Sequence, residues 1–167
     1  MINMANIAFI MDNERMSGMK KKVRIAVKAL IIEDDRLLCI KKKSARGVFY
    51  LLPGGGQEFE ETLDEALARE CQEEIGAKVQ VNGIQFVREF IASHHDKRNR
   101  PFHQVDSIFA CKLIDRNPDV TSQLPDYNQV AIEWIPIHQL EKVGFQPSEL
   151  AIHLRSHSDH VVYLGNV

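Results

Sequence analysis

Apolar and polar positions along this chain follow a period of two over most of its length and switch to a helical period in one stretch. Val23 to Ile32, VRIAVKALII, is rich in β-branched residues with partial alternation and predicts a first strand. Glu33-Asp34-Asp35-Arg36 reads as a turn, and Leu37 to Lys41 returns as a second strand. Phe49 to Leu52 is a short strand leading into Pro53. The pattern then changes: Leu67, Cys71 and Ile75 recur at helical spacing and define a buried stripe. Thr62 and Glu65 form a capping box at the start of that helix, and Gly76 suits the position just past its end. Further strands are expected over Ile84 to Ile91, Phe102 to Leu113 and Val130 to Ile137. Pro147 opens a second helix running to about Ser156, and Val161 to Leu164 adds an edge strand. Strands interrupted by one early and one late helix predict an α/β sandwich with a mixed β-sheet. Residues 1–20 are set apart as an N-terminal extension, leaving 21–167 as a single domain.

Composition narrows the class. A chain of 167 residues can bury one sizeable core. Its 44% hydrophobic and 26% charged residues are ordinary for a soluble globular protein. A net charge of −2 supplies no global basic field, so no stable nucleic-acid partner is expected. No stretch approaches the length of a membrane span and the N-terminus lacks a secretory pattern, so a membrane partner is not expected either. Cys39, Cys71 and Cys111 lie far apart in apolar surroundings without a C-x-x-C, and read as free buried thiols of a cytoplasmic protein.

The helical stretch carries the chemistry. Glu70, Glu73 and Glu74 stand at i, i+3 and i+4, so their carboxylates share one helix face. Like charges at that spacing repel, and a divalent cation is the simplest positive partner; a solvated acidic face is the alternative. Ahead of the helix, Gly54-Gly55-Gly56 allows a tight turn and close approach of the backbone to a ligand. From Gly55 the chain reads G-x5-E-x7-R-E-U-x-E-E-x-G-U, filled by Gly55, Glu61, Arg69, Glu70, Cys71, Glu73, Glu74, Gly76 and Ala77. This resembles the Nudix box, and the chain is similar to the MutT-like Nudix hydrolases. Pro53-Gly54-Gly55 with Tyr50 ahead is similar to the family's approach to the box.

The resemblance implies a Nudix-type α/β/α sandwich and a pyrophosphatase dependent on Mg²⁺ or Mn²⁺. Its partner would be a nucleotide-derived small molecule, a nucleoside diphosphate linked to another moiety. ADP-ribose, a nucleotide sugar and a nucleoside triphosphate all stay open, as does homodimerisation. A nucleotide-sensing module without turnover is the competing reading, which the intact acids disfavour. By resemblance, Glu70, Glu73, Glu74 and the Gly54 carbonyl are metal-site residues, the three glutamates are catalytic, and Gly55, Glu61, Arg69 and Gly76 are structural, with Arg69 paired to Glu61. Asp126 is a candidate carboxylate outside the box, with Asn128 nearer where some relatives carry an acid. Substrate contacts are sought in basic and polar positions: Lys41 and Arg46 at the end of the second strand, and His94, Lys97, Arg98 and Arg100 in a polar loop. His103 and Asp106 join them, on the face of a strand expected to be wet. For each group a solvated surface is the plainer alternative.

Overall fold

A computed structural model describes residues 22–45, 47–92, 102–114, 128–156 and 160–167. The N-terminal extension, Arg46, His94, Lys97, Arg98, Arg100 and Asp126 lie outside the described residues. The elements in chain order are β1 (Val23–Glu33), β2 (Arg36–Ser44), β3 (Gly47–Leu51), α1 (Leu63–Ile75), β4 (Val79–Ala92), β5 (Phe102–Leu113) and β6 (Gln129–Pro136). A 3-10 helix (Ile137–Lys142), α2 (Ser148–His153) and β7 (Val162–Asn166) follow.

The strands run in the order β3-β2-β1-β5-β4-β7, with β6 on the other edge of β2. β1 pairs parallel with β5, and β4 with β7, while β4–β5, β2–β3 and β2–β6 are antiparallel. This is the mixed sheet expected from the alternating pattern. Its two faces are separated by residue parity. Val27, Ala29, Ile31, Leu38 and Ile40 pack with Ala66, Leu67, Cys71 and Ile75 of α1. Leu30, Leu37 and Cys39 point the other way, against Ile137, Leu140, Leu150 and Ala151 of the 3-10 helix and α2. Helices therefore cover both faces.

Local chemistry explains the boundaries. Thr62 accepts from the Glu65 amide while the Glu65 carboxylate accepts from the Thr62 amide, the reciprocal cap read from the sequence. Gly76 closes α1 in the left-handed conformation at φ 62°, with its amide bonded back into the last turn. β4 starts at Val79, earlier than the alternation suggests. Gln80, Asn82 and Gly83 obscure the pattern there, and the strand reaches β5 across irregularities at Val81/Gly83 and Ile84/Phe86. The second helix ends at His153 rather than Ser156, and turns follow. Cys39, Cys71 and Cys111 are free and buried, and burial pushes the thiols of Cys39 and Cys111 up to about 12. No helix among the described residues is long and apolar enough to cross a membrane.

Candidate active site

The site forms where the glycine loop lies along the edge of β1. β1 meets β2 only near their shared turn, at Ile32↔Leu37 and Glu33↔Arg36, so the rest of that edge is open to the loop. The Val27 amide donates to the Gly55 carbonyl (2.9 Å), the Ala29 amide to Pro53 (2.8 Å), and the Gln57 amide to Ile25 (3.1 Å). The loop is thereby held as a short extra strand. Gly54 has φ +125°, and a Cβ there would lie 2.1 Å from the Val27 carbonyl oxygen, so only glycine fits. A Cβ on Gly55 would lie 2.2 Å from Glu70 Oε1, which shows how closely that carboxylate covers the loop.

α1 delivers its acids to this loop. The Gly54 amide donates to Glu74 Oε2 at 2.6 Å, and Glu74 is only 5% exposed. Gln129 on β6 donates through Nε2 to the Glu74 carbonyl at 2.9 Å, tying the end of α1 to the neighbouring sheet edge. Arg69 organises the rest. Its Nε and Nη2 grip the two Glu61 oxygens at 2.7 and 3.0 Å, and Nη2 also donates to the Gly56 carbonyl at 3.0 Å. Its Nη1 reaches Glu70 at 3.0 Å and Glu73 at 3.4 Å. Glu61 further accepts from the Glu58 amide at 2.9 Å. The Arg69 hydrogen bonds, aided by that amide, hold the Glu61 carboxyl down at about 2. The same pair raises the already high pKa of Arg69. One guanidinium thus joins the loop, its exit at Glu61 and the acidic face of α1.

A residue not singled out from the sequence completes the site. Lys28 of β1 is partly buried and donates its ammonium to the Gly54 carbonyl. Desolvation lowers its pKa, and the charges of Glu74, Asp106 and Glu70 oppose that shift. The signal was available: Lys28 is a lone charge inside the apolar run from Ile25 to Ile32. Arg24, on the same face, lies against Gly56, where a Cβ would come within 2.7 Å of its Nη2. Arg24 Nη1 donates to Gln104 Oε1, and Gln104 Nε2 to Asp106 Oδ1 at 2.6 Å. Arg88 Nε donates to Asp106 Oδ2 at 2.6 Å.

Gly54, Gly55, Glu61, Arg69, Glu70, Glu73 and Glu74 are thus brought together around one loop. Asp106 differs from expectation: it is 1% exposed and ion-paired, not on a wet face, because Gln104 and Arg88 enclose it. Lys41 is engaged elsewhere, with Glu133 at 2.8 Å beside Tyr50, whose hydroxyl donates to the same carboxylate. His103 lies 3.2 Å from Glu89. Asn128 adopts a left-handed turn, and its carbonyl accepts from the Lys43 amide.

Among the described residues, no three acidic, histidine or cysteine side chains converge into a ready-made ion cage. The donor chemistry nevertheless suits a hard divalent cation. The Glu70 carboxylate covers Gly55, the Glu74 carboxylate accepts from the Gly54 amide, and the Gly54 carbonyl takes a lysine ammonium, so oxygen donors of the kind such an ion prefers line one glycine loop.

A family model, the NUDIX domain, matches residues 22–155. The nucleoside triphosphatase NudI of Salmonella typhimurium is 32% identical over 124 residues, covering 70% of this chain and 88% of that protein. Among solved structures, a MutT protein from Bacillus halodurans superposes with a TM-score of 0.60 at 19% identity, covering 84% of this chain and 87% of its own. A UDP-X diphosphatase superposes with a TM-score of 0.60 at 18% identity, covering 98% of this chain and 76% of its own. At those identities the two structures speak for the fold alone.

Proposed function

Because the chain belongs to the NUDIX family, and so is a pyrophosphohydrolase acting on phosphoanhydride bonds, we propose that it hydrolyses a nucleoside diphosphate linked to another group with Mg²⁺ or Mn²⁺. A nucleoside triphosphate is the first member of that class to test, since the NudI relative is a nucleoside triphosphatase. The family generally needs a divalent metal and takes nucleotide-type substrates, and membership of a hydrolase family displaces the sensing-module alternative.

The observation that supports the metal reading is one glycine loop with Glu70 over Gly55, Glu74 on the Gly54 amide and a lysine ammonium on the Gly54 carbonyl. In this reading Glu70, Glu74 and the Gly54 carbonyl hold the ion and Glu73, beside the two acids on the helix, completes the acidic face. When bound, the ion supplies charge neutralisation for the diphosphate and lowers the pKa of a bound water. The chain's own part is to keep the acids aimed. Arg69 offsets the repulsion among them and fixes the loop through Gly56 and Glu61. One glutamate accepts the proton of the attacking water. The basic residues Lys97, Arg98 and Arg100, with His94, would receive the departing phosphate group or the substrate's far end. Arg46, Lys41, His103 and Asp126 remain secondary candidates for substrate contact.

The test is a hydrolysis screen of nucleoside triphosphates, nucleotide sugars and ADP-ribose with Mg²⁺ and with Mn²⁺, identifying the products. Glu74→Gln in the same screen should melt no lower than the wild type without metal, because like-charge repulsion is relieved. It should lose on the order of a hundredfold or more in turnover, beyond what an outer-shell partner of a metal costs. Near wild-type turnover of that variant at saturating Mg²⁺ would remove Glu74 from the mechanism.

A further inference from the structure

We infer that Lys28 is a tethered cation that holds the Gly54 carbonyl in the metal-free protein and must leave it before a divalent ion can bind there, so that this one side chain sets the metal affinity of the site. The inference rests on the metal-dependent reading above.

Lys28 and the proposed ion want the same oxygen. The ammonium donates directly to the Gly54 carbonyl, while the Gly54 amide on the other side of the same residue is fixed to Glu74. A divalent ion on that carbonyl would stand within a few ångströms of the ammonium, and two positive charges that close, partly shielded from water, repel strongly. The carbonyl cannot swing away to serve both. The loop is bonded to β1 on either side of it, through Pro53 and Gly55, and Gly54 itself is pressed against Val27.

The side chain, in contrast, has somewhere to go. Lys28 borders a cavity of about 20 Å³ together with Arg88, Asp106 and Gln146. That is room for about one water molecule, enough for an ammonium head to shift. Asp106 already acts on Lys28 electrostatically. One of its oxygens accepts from Gln104 and the other from Arg88. A carboxylate has about four acceptor positions, so a third donor can be taken. The flexible four-carbon stem of lysine lets the head move without moving β1. Asp106 would then serve as the alternative seat of Lys28 and act on the site through it, as a positioning residue.

The experiment measures binding, not turnover. Mn²⁺ affinity is determined by calorimetry on substrate-free wild type and Lys28→Met, which keeps the apolar stem and deletes the charge. The expected result is binding tighter by about tenfold or more in the variant, because no like charge has to be moved. Equal or weaker binding by a folded Lys28→Met protein overturns the inference. A second measurement on the wild type stands even if that variant does not fold: titration with Mg²⁺ while following the ¹⁵N resonance of the Lys28 ammonium. The resonance should move with the midpoint of ion binding, and a resonance unmoved at saturating Mg²⁺ overturns the inference. If wild type binds neither ion, the metal-dependent reading itself fails, and this inference with it. If wild type binds Mn²⁺ and Lys28 has no influence, only the inference fails.

Discussion

Arg69 and Arg88 each hold a carboxylate, and the two pairs differ in almost everything else. Arg69 and Glu61 lie near each other in sequence, join the loop to α1, and keep 25% and 16% of their side-chain surface exposed. Arg88 and Asp106 are directly opposed on β4 and β5, with side chains 16% and 2% exposed. The first pair is a fork, two bonds to two oxygens, with further bonds to Gly56, Glu70 and Glu73. The second is a single short bond whose carboxylate is shared with Gln104. The first pair orders the loop and the acidic face, and the second lies deeper, beside the cavity next to Lys28. Depth separates their energetics: breaking an ion pair costs most when the survivor is left in a poorly solvated place.

That contrast can be broken at either end. Asp106→Ala leaves Arg88 below the surface with the Val167 carbonyl but without its carboxylate, and should cost about 3–5 kcal/mol of stability, read by urea unfolding. A loss under about 1 kcal/mol would mean that water reaches Arg88 and that the pair is superficial. Arg69→Ala should cost less, about 1–3 kcal/mol, and should also depress turnover, because Glu61 loses its partner and the acidic face its counter-charge. An unchanged melting temperature with reduced turnover would instead make Arg69 a substrate contact. The smallest effect is in the pH dependence of Glu61→Gln. The Glu61 carboxyl is held at about 2, against an ordinary 4.5. A carboxyl depressed on folding stabilises the protein fully above its unfolded pKa and loses that contribution as pH falls through the folded value. The wild type should therefore lose stability from pH ~4.5 down to ~2, and the variant should show a flatter acid limb there. Parallel acid limbs would show that Arg69 does not depress Glu61.

The same contrast explains what the chain disclosed as a sequence. The cap at Thr62 and Glu65, the Leu67–Cys71–Ile75 stripe and the stop at Gly76 are all local, so spacing along the chain reveals them. Glu61 and Arg69 belong to one contiguous motif. Arg88 and Asp106 meet only because β4 and β5 pair in one register, which no local pattern states. Asp106 was therefore expected on a wet face, when its strand buries that position. Lys28 went unremarked for a related reason. Its strand was legible from β-branched residues, but what its charge faces depends on a loop folding back along β1. The early start of β4 was hidden because Gln80, Asn82 and Gly83 interrupt the alternation where the strand bends.

β1 has the glycine loop on one edge and β5 on the other, and its numbering parity divides two tasks. Val27, Ala29 and Ile31 belong to the core beneath α1, while Arg24 and Lys28 belong to the opposite face. Inserting or deleting one residue within this strand would exchange the two sets, sending a lysine toward the α1 core and a valine toward the Gly54 carbonyl. Replacing a residue changes one side and leaves the other intact. Descendants of this sequence can thus retune the site at positions 24 and 28 of β1 and repack the α1 core at 27, 29 and 31, independently. They cannot alter the strand's length by a single residue without losing both at once.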